Sequence, residues 1–481
     1  MTRTSQENPH PNPLPRGRGD DVNVRSSVRG DSLVALFDVG KTNTKLALID
    51  SRTHEEVWSA RRASQSVNAE YGRELDVLEI ERWLLDALRQ APHKERIDTI
   101  VPVAHGAAAV LIDAAGEILA APDYEDTCYE RVSEDYDRAR DAFTETFSPN
   151  LPCGLNLARQ LYYLQRTRAG LFDRAAHLLL YPQYWAWRLS GTLASELTSL
   201  GCHTDLWRPR EARFSNLART CGWAERFPRV RSAREKLGGL RESVVAHTGL
   251  DGRCEVACGI HDSNASYLRF LIGREHSPFI VVSSGTWTIV MANGGDLTRL
   301  EEQRDMLANV NAFGSPVPTA RFMGGREYEA IARGQGVPTL ESVREIVRTG
   351  VMALPSFASA GPFNGRIGQL VNAAGLNGMA RASLATLYSA LMTDLSIESH
   401  GARGEVFVDG PLAANPLFAP LLAALTDVGQ VKRAPSTTAA GRVAAYLAGF
   451  AGDSQEPLMD VEPFDIPELL SYRDRWREAL R

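Results

Sequence analysis

Two short stretches of this chain combine residue types suited to gripping an anion. One is Asp38-Val39-Gly40-Lys41-Thr42-Asn43, the other Ser283-Ser284-Gly285-Thr286-Trp287-Thr288. Each sits between two apolar runs, residues 33–37 and 46–49 for the first and residues 279–282 and 289–291 for the second. That is the layout of a β-hairpin with glycine at its bend. Glycine allows positive φ or a close approach of backbone to a ligand, and N–H groups and hydroxyls in such a bend suit phosphate oxygens. Gly40, Lys41, Thr42 and Asn43 in one bend, and Ser284, Gly285 and Thr286 in the other, are therefore candidate donors to a polyphosphate. A single such hairpin is usually only a turn. Two copies about half a chain apart point to paired domains that each offer a loop to one ligand.

Two carboxylates accompany these bends. Asp38, just ahead of Gly40, can hold hydrated Mg²⁺, a hard cation that prefers oxygen ligands; the competing reading is an aspartate closing the turn on local backbone. Asp262 lies in Cys258-Gly259-Ile260-His261-Asp262-Ser263-Asn264, ahead of a helix-like run at 265–271. Taken alone it reads as a helix N-cap. Phosphoryl transfer to an alcohol, however, needs a carboxylate that orients the hydroxyl and accepts its proton, and a position just before the second hairpin favours that role. His261 receives no role. A third segment, Asp409-Gly410-Pro411-Leu412-Ala413-Ala414-Asn415, follows a strand-like run at 405–408. Its small residues leave space for a flat base, with Gly410 and Asn415 as candidate contacts; a tight strand-to-helix connection is the alternative.

The elements that must position these residues alternate. Leu75, Leu78, Trp83, Leu84, Ala87 and Leu88 make a helical apolar face, followed by a strand at 97–103 and a hairpin-like stretch at 108–119. Residues 155–201 are helix-rich, and the second half carries helices near 382–395, 416–425 and 443–450 around the strand at 405–408. This order predicts a mixed α/β chain of helix-covered sheets, with a boundary between domains near residues 252–259. The length of 481 residues accommodates two or three domains. A net charge of −6 gives no electrostatic ground for a nucleic-acid or anionic-membrane partner. No apolar run approaches the ~18 residues that cross a bilayer. The six cysteines form no CxxC pair, so reduced thiols are expected rather than a zinc site or disulfides. Residues 1–31, rich in Pro, Asn and Arg, are expected to be a disordered tail without the apolar centre of a secretory signal.

In this order the segments resemble the FGGY carbohydrate kinases, of the actin-like, Hsp70-like and hexokinase-like ATPase superfamily. The first hairpin resembles the family's first phosphate motif and Ser284-Gly285-Thr286 its second. Gly259-Ile260-His261-Asp262 resembles the segment with the catalytic aspartate, and Asp409-Gly410 through Asn415 the adenosine motif. Ser436-Thr437-Thr438-Ala439-Ala440-Gly441 with residues 444–449 is similar to the closing helix. Val103-Ala104-His105-Gly106 with Leu111-Ile112-Asp113 and Gly116 is similar to the strand pair lining the sugar pocket, and Pro182-Gln183-Tyr184-Trp185 with Glu196-Leu197-Thr198-Ser199 to the helical middle. The likeness spans about residues 33 to 450.

The resemblance implies two ribonuclease H-like domains of the actin-like ATPase fold with an active-site cleft between them, and ATP and Mg²⁺ as cofactors. It implies Asp262 as general base, Asp38 as the magnesium-organising carboxylate, and His105 with Tyr124 or Asp126 in the sugar pocket, where Asp262 also meets the substrate. It divides the chain into the tail 1–31, an N-terminal sugar-binding domain 32–255, a C-terminal nucleotide-binding domain 256–455 and a helical extension 456–481. Three departures stand out: Lys41 where many members have threonine, Asp409-Gly410 for Gly-Gly, and residues 199–207, which lean towards kinases of rhamnulose and fuculose. The expected activity is ATP-dependent phosphorylation of a small sugar, a ketose such as L-rhamnulose or L-fuculose, in the cytoplasm; a homodimer is left open. Two rivals stand beside it: an actin-like or chaperone-like ATPase acting on a protein partner, and a non-catalytic sugar-binding regulator.

Overall fold

The computed structural model describes residues 32–70, 72–334, 336–434, 439–452 and 454–481. The expected tail 1–31, and Ser436, Thr437 and Thr438 of the closing motif, lie outside the described residues.

The first half builds a seven-stranded sheet from β1 (Leu33–Val39), β2 (Asn43–Asp50), β3 (Glu56–Ala63), β4 (Ile97–Ala104), β5 (Lys236–Gly239), β6 (Glu255–Ala257) and β7 (Ile260–His261). Its order is β5–β6–β4–β1–β2–β3, with β7 also pairing β4. β1, β2 and β3 form an antiparallel meander, while β4 runs parallel to β1, and β6 and β7 run parallel to β4. β1 is covered on both faces, as its nearly unbroken apolar sequence requires, and Asp38 near its C-terminal end is the exception.

The second half repeats the plan with β8 (Phe279–Ser284), β9 (Thr288–Asn293), β10 (Met306–Val310), β11 (Pro316–Phe322), β12 (Glu405–Asp409), β13 (Val431–Arg433) and β14 (Met459–Asp460). The order is β10–β11–β9–β8–β12–β13–β14. Here β8, β9 and β11 make the antiparallel meander, and β12 and then β13 add in parallel beside β8. The duplication visible in two hairpins thus extends through both sheets.

β6 and β7 pair with β4, so the first sheet extends along the chain to His261. In the C-terminal stretch β14 joins the second sheet, and the helix Leu469–Glu478 buries Tyr472 and Trp476 in the second core. Their ring polar groups donate to the carbonyls of Val351 (2.6 Å) and Ala353 (2.7 Å).

Helix α1 (Val77–Gln90), capped by Asp76, buries Val77, Ile80, Leu84 and Leu88, whereas Leu78, read as part of the apolar face, is 56 % exposed. The helices that matter most for the site are α2 (Asp262–Leu271) and α3 (Ala439–Leu447), which pack against each other between the two sheets. One apolar cluster joins Val34, Ala47, Val101 and Val103 of the first sheet to Phe279, Val281 and Phe407 of the second through Tyr267, Leu268, Phe270, Ala444 and Leu447 of these helices. Phe270 stacks on Phe407 at 5.5 Å and Phe279 on Phe407 at 5.3 Å. Each such buried ring contributes roughly 1.5–3 kcal/mol, so the helix that starts at Asp262 is anchored to both lobes.

Candidate functional site

Strand register brings the candidate residues to one sheet edge. Asp38 on β1 lies opposite Val103 on β4, and Val103 lies opposite Ile260 on β7. Neighbouring strands are about 4.8 Å apart, so Asp38, His105 and the His261-Asp262 pair leave the same end of three adjacent strands. The His105 N–H donates to the Val39 carbonyl at 3.1 Å, continuing the pairing past the strand end. Above this edge lies a cleft of about 430 Å³, lined by Lys41 from the first hairpin, Ser283 and Trp287 from the second, Asp262 from α2, and His105 and Tyr124. Both bends and the candidate base therefore meet in one cavity.

Asp262 is the first residue of α2, and the capping position before it belongs to His261. Its side chain keeps 38 % of its surface open to the cleft, and its Oδ1 lies 3.1 Å from His261 Nε2. Burial would raise its pKa, but the hydrogen bond and charge of His261, the charge of His105 and the Ser263 N–H outweigh burial and hold it below the usual value. Asp38 moves the other way. Burial first, then the negative charge of Asp262, push it up to about 6, and Lys45 offsets this only in part. The opposite shifts divide the labour: Asp262 stays an ionised acceptor, while Asp38 is a carboxylate short of positive charge. Among the described residues no group of three or more His, Cys, Asp or Glu can hold a metal by itself. A lone under-neutralised carboxylate fits Mg²⁺ delivered with a polyphosphate, since that ion keeps waters and phosphate oxygens as most of its ligands.

The first bend is tight. The Gly40 N–H donates to the Asn43 carbonyl at 3.0 Å, and a Cβ on Gly40 would come within 2.9 Å of that oxygen. Thr42 and Asn43 are exposed at the tip. Lys41 departs from its expected direction: its Nζ lies 2.6 Å from Asp123 Oδ1 and 3.4 Å from Glu125, and 5.1 Å from the centre of the Tyr124 ring. It ties the first hairpin to the loop that carries Asp123 and Glu125. The physical reason is the fully buried Asp123 carboxylate, which needs a cation.

In the second bend Gly285 and Thr286 are exposed, and a Cβ on Gly285 would meet nothing nearer than the Trp287 carbonyl at 3.8 Å. The Ser284 hydroxyl is committed elsewhere. It donates to the Asp409 carbonyl (2.8 Å) and accepts from the Leu412 N–H (2.9 Å), pinning the turn after β12. Gly410 there has φ +82, and a Cβ would come within 2.1 Å of the Ser284 carbonyl. Asn415 donates to Thr386 Oγ1 (3.0 Å) and accepts from the Leu417 N–H (3.0 Å), so its side chain secures the strand-to-helix connection.

His105 is wedged between Tyr181 (4.9 Å) and Tyr124 (5.7 Å), and burial lowers its pKa. Asp126 is directed away from the cleft. Its carboxylate accepts from the N–H groups of Arg73 and Cys128, capping the short helix that begins at Thr127. The carboxylate beside Lys41 and Tyr124 is Asp123 instead, and only Lys41, an unexpected cation in a phosphate bend, hinted at such a partner. Sequence reading also passed over Cys202, His203 and His261, and over Asn309 and Arg321 of the second lobe, all of which line the cleft. The unusual stretch 199–207 marked the first two; nothing in the alternation of β10 and β11 marks the last two.

Known proteins share this build. Residues 276–457 match the family model described as carbohydrate kinase FGGY, C-terminal domain. The structure of a carbohydrate kinase from Novosphingobium aromaticivorans superposes with a TM-score of 0.86 at 34 % identity, covering 94 % of this chain and 99 % of that one. A xyloylose kinase from Brucella ovis superposes with a TM-score of 0.74 at 20 % identity, covering 93 % and 98 %, a likeness of fold alone. An L-fuculokinase of Escherichia coli (strain K12) is 28 % identical over 143 residues, a stretch that spans 30 % of this chain and 30 % of that relative.

Proposed function

Because this chain belongs to the FGGY carbohydrate kinase family, whose members are phosphotransferases with an alcohol acceptor, we propose that it transfers the γ-phosphoryl group of ATP to a hydroxyl of a small ketose such as L-rhamnulose or L-fuculose. The observation that carries the reading is the shared cleft, in which Lys41, Ser283 and Trp287 of the two bends face Asp262.

In this mechanism the sugar lies against His105 and Tyr124, with the Lys41–Asp123 pair behind them, and directs one hydroxyl at Asp262. The ionised carboxylate accepts the hydroxyl proton as the oxygen attacks the γ-phosphorus in line with the departing β–γ bridging oxygen. N–H groups of Lys41 and Thr42 and of Gly285 and Thr286 hold the triphosphate tail. Asp38 would hold Mg²⁺ accompanying the nucleotide, an ion that neutralises charge on the phosphate oxygens. The adenosine end lies along the Gly410 turn. Approach of the two lobes then brings donor and acceptor to reacting distance and excludes water. The first lobe, through His261, is the sugar-binding half and the second the nucleotide-binding half. Partial likeness to L-fuculokinase supports the deoxyketose choice. Reliance on ATP supports a cytoplasmic setting, and no described helix is long and apolar enough to cross a membrane.

The test is an ATP-coupled assay against deoxyketoses, pentuloses and glycerol. ADP should form rapidly only with a ketose present. ATP hydrolysis indifferent to every sugar would sink the proposal and favour an ATPase that drives a conformational cycle.

A further inference from the structure

We propose that Thr198, held by Glu196, is a positioning residue for catalysis: its hydroxyl fixes the backbone at His261 and so sets where the Asp262 carboxylate stands. This role presupposes Asp262 as the general base of the proposed phosphoryl transfer.

Two stretches of the helical middle, Pro182-Gln183-Tyr184-Trp185 and Glu196-Leu197-Thr198-Ser199, carry polar side chains that the transfer itself does not use. Gln183, Glu196 and Thr198 are buried, and so are His261 and Asn264 across from them. Buried polar groups are costly unless hydrogen-bonded, and here their partners converge on one loop. Gln183 Nε2 donates to the carbonyls of Cys258 (3.1 Å) and Gly259 (3.2 Å), on the approach to β7. Thr198 Oγ1 accepts from the His261 N–H at 3.1 Å, one residue before Asp262. The direction of this chain is forced. A backbone N–H can only donate, so the hydroxyl keeps its own proton for Glu196 Oε2 at 2.5 Å, an oxygen that also accepts from the Thr198 N–H at 2.9 Å.

The His261 ring is held as well. Asn264 Nδ2 lies 3.4 Å from the Thr198 carbonyl and 3.3 Å from His261 Nδ1, and across the ring Nε2 lies 3.1 Å from Asp262 Oδ1. A Cβ on Gly106 would come within 2.7 Å of that Nε2, so the ring has little room to swing. Neither Glu196 nor Thr198 is among the residues that line the cleft; both act from behind His261. Packing of α2 between the lobes places the helix as a whole, whereas these bonds place its first residue. That residue must stand within hydrogen-bond reach of the acceptor hydroxyl, and a shift on the order of 1 Å there is enough to cost about 10² in rate.

The experiment follows ketose-dependent ADP formation by the full-length protein and its variants. Thr198→Val keeps the shape of the side chain and removes the hydroxyl. Its kcat should fall roughly 10-fold or more, while KM for sugar and for ATP stays within about 2-fold of the parent. Thr198→Ser, which restores the hydroxyl, should recover most of the turnover. In an Asp262→Asn background Thr198→Val should cost almost nothing further, because it acts only through that carboxylate; a merely structural residue would lower the residual rate there too. Full turnover by Thr198→Val, or an equal loss in the Asp262→Asn background, overturns the proposal. Should Thr198→Val fail to fold, Asn264→Ala, which frees the other side of the His261 ring, is read in the same two backgrounds by the same criteria. A parent protein that forms no ADP with any ketose overturns the kinase reading itself, and this role with it.

Discussion

Asp262 lines the cleft and its charge reaches Asp38, yet their environments drive the two carboxylates in opposite directions, and each shift has a measurable consequence. His261 and His105 keep Asp262 ionised, so it can accept the hydroxyl proton across the whole working pH range. Asp262→Asn keeps the shape and removes the acceptor. Turnover should fall by about 10² or more, the scale of general-base loss, while calorimetry finds ATP affinity nearly unchanged; full turnover by this variant would refute the assignment. Asp38 is raised to about 6 by burial and by Asp262. Its ionised form is the one that draws a cation, so protons compete with Mg²⁺ as pH falls through about 6. The Mg²⁺ concentration for half-maximal rate should climb by up to ~10-fold per pH unit below that point, and Asp38→Asn should abolish the dependence. A flat Mg²⁺ requirement from pH 5 to 8 would remove Asp38 from the metal site.

The hairpins and the turn after β12 show two different demands on glycine. Gly285 stands at an open bend where an added Cβ meets no neighbour closer than 3.8 Å, so the fold itself leaves room for a side chain there. Gly410, at φ +82 and with its would-be Cβ 2.1 Å from the Ser284 carbonyl, serves the fold. Gly285→Val should leave the melting temperature close to that of the parent and abolish ATP binding by calorimetry. Gly410→Ala should lower the melting temperature first, as the β12 turn and the second bend are forced apart. Equal melting temperatures with equal ATP affinity in both variants would dissociate these bends from the nucleotide. α2 belongs to this scale too: its apolar face, through Phe270 on Phe407, decides where Asp262 stands.

The two lobes share one plan but complete their cores differently. The second depends on the chain's last helix, where Trp476 is fully buried and donates to the Ala353 carbonyl. Trp476→Ala should destabilise the protein by about 3–5 kcal/mol, the usual cost of emptying so large a site, read as a lower urea midpoint. An unchanged midpoint would mean that the last helix is dispensable. Between the lobes, α2 and α3 form a shared apolar layer, which permits the cleft above it to narrow while its floor stays packed.

The mixed α/β order, both hairpins, the strand at 405–408 and the paired-lobe plan were legible in the amino-acid sequence, because strand period, helix period and glycine bends are local properties of the chain. So was the place of Asp262 at the head of a helix, ahead of the second bend. Partners across the fold were not. That Lys41 turns to Asp123, that the Asp126 carboxylate is held by the Arg73 N–H, and that Ser284 is occupied by the β12 turn depend on residues up to 128 positions away in the chain. Side-chain direction and charge balance are set by whatever the folded chain brings alongside, and only the assembled tertiary structure decides that.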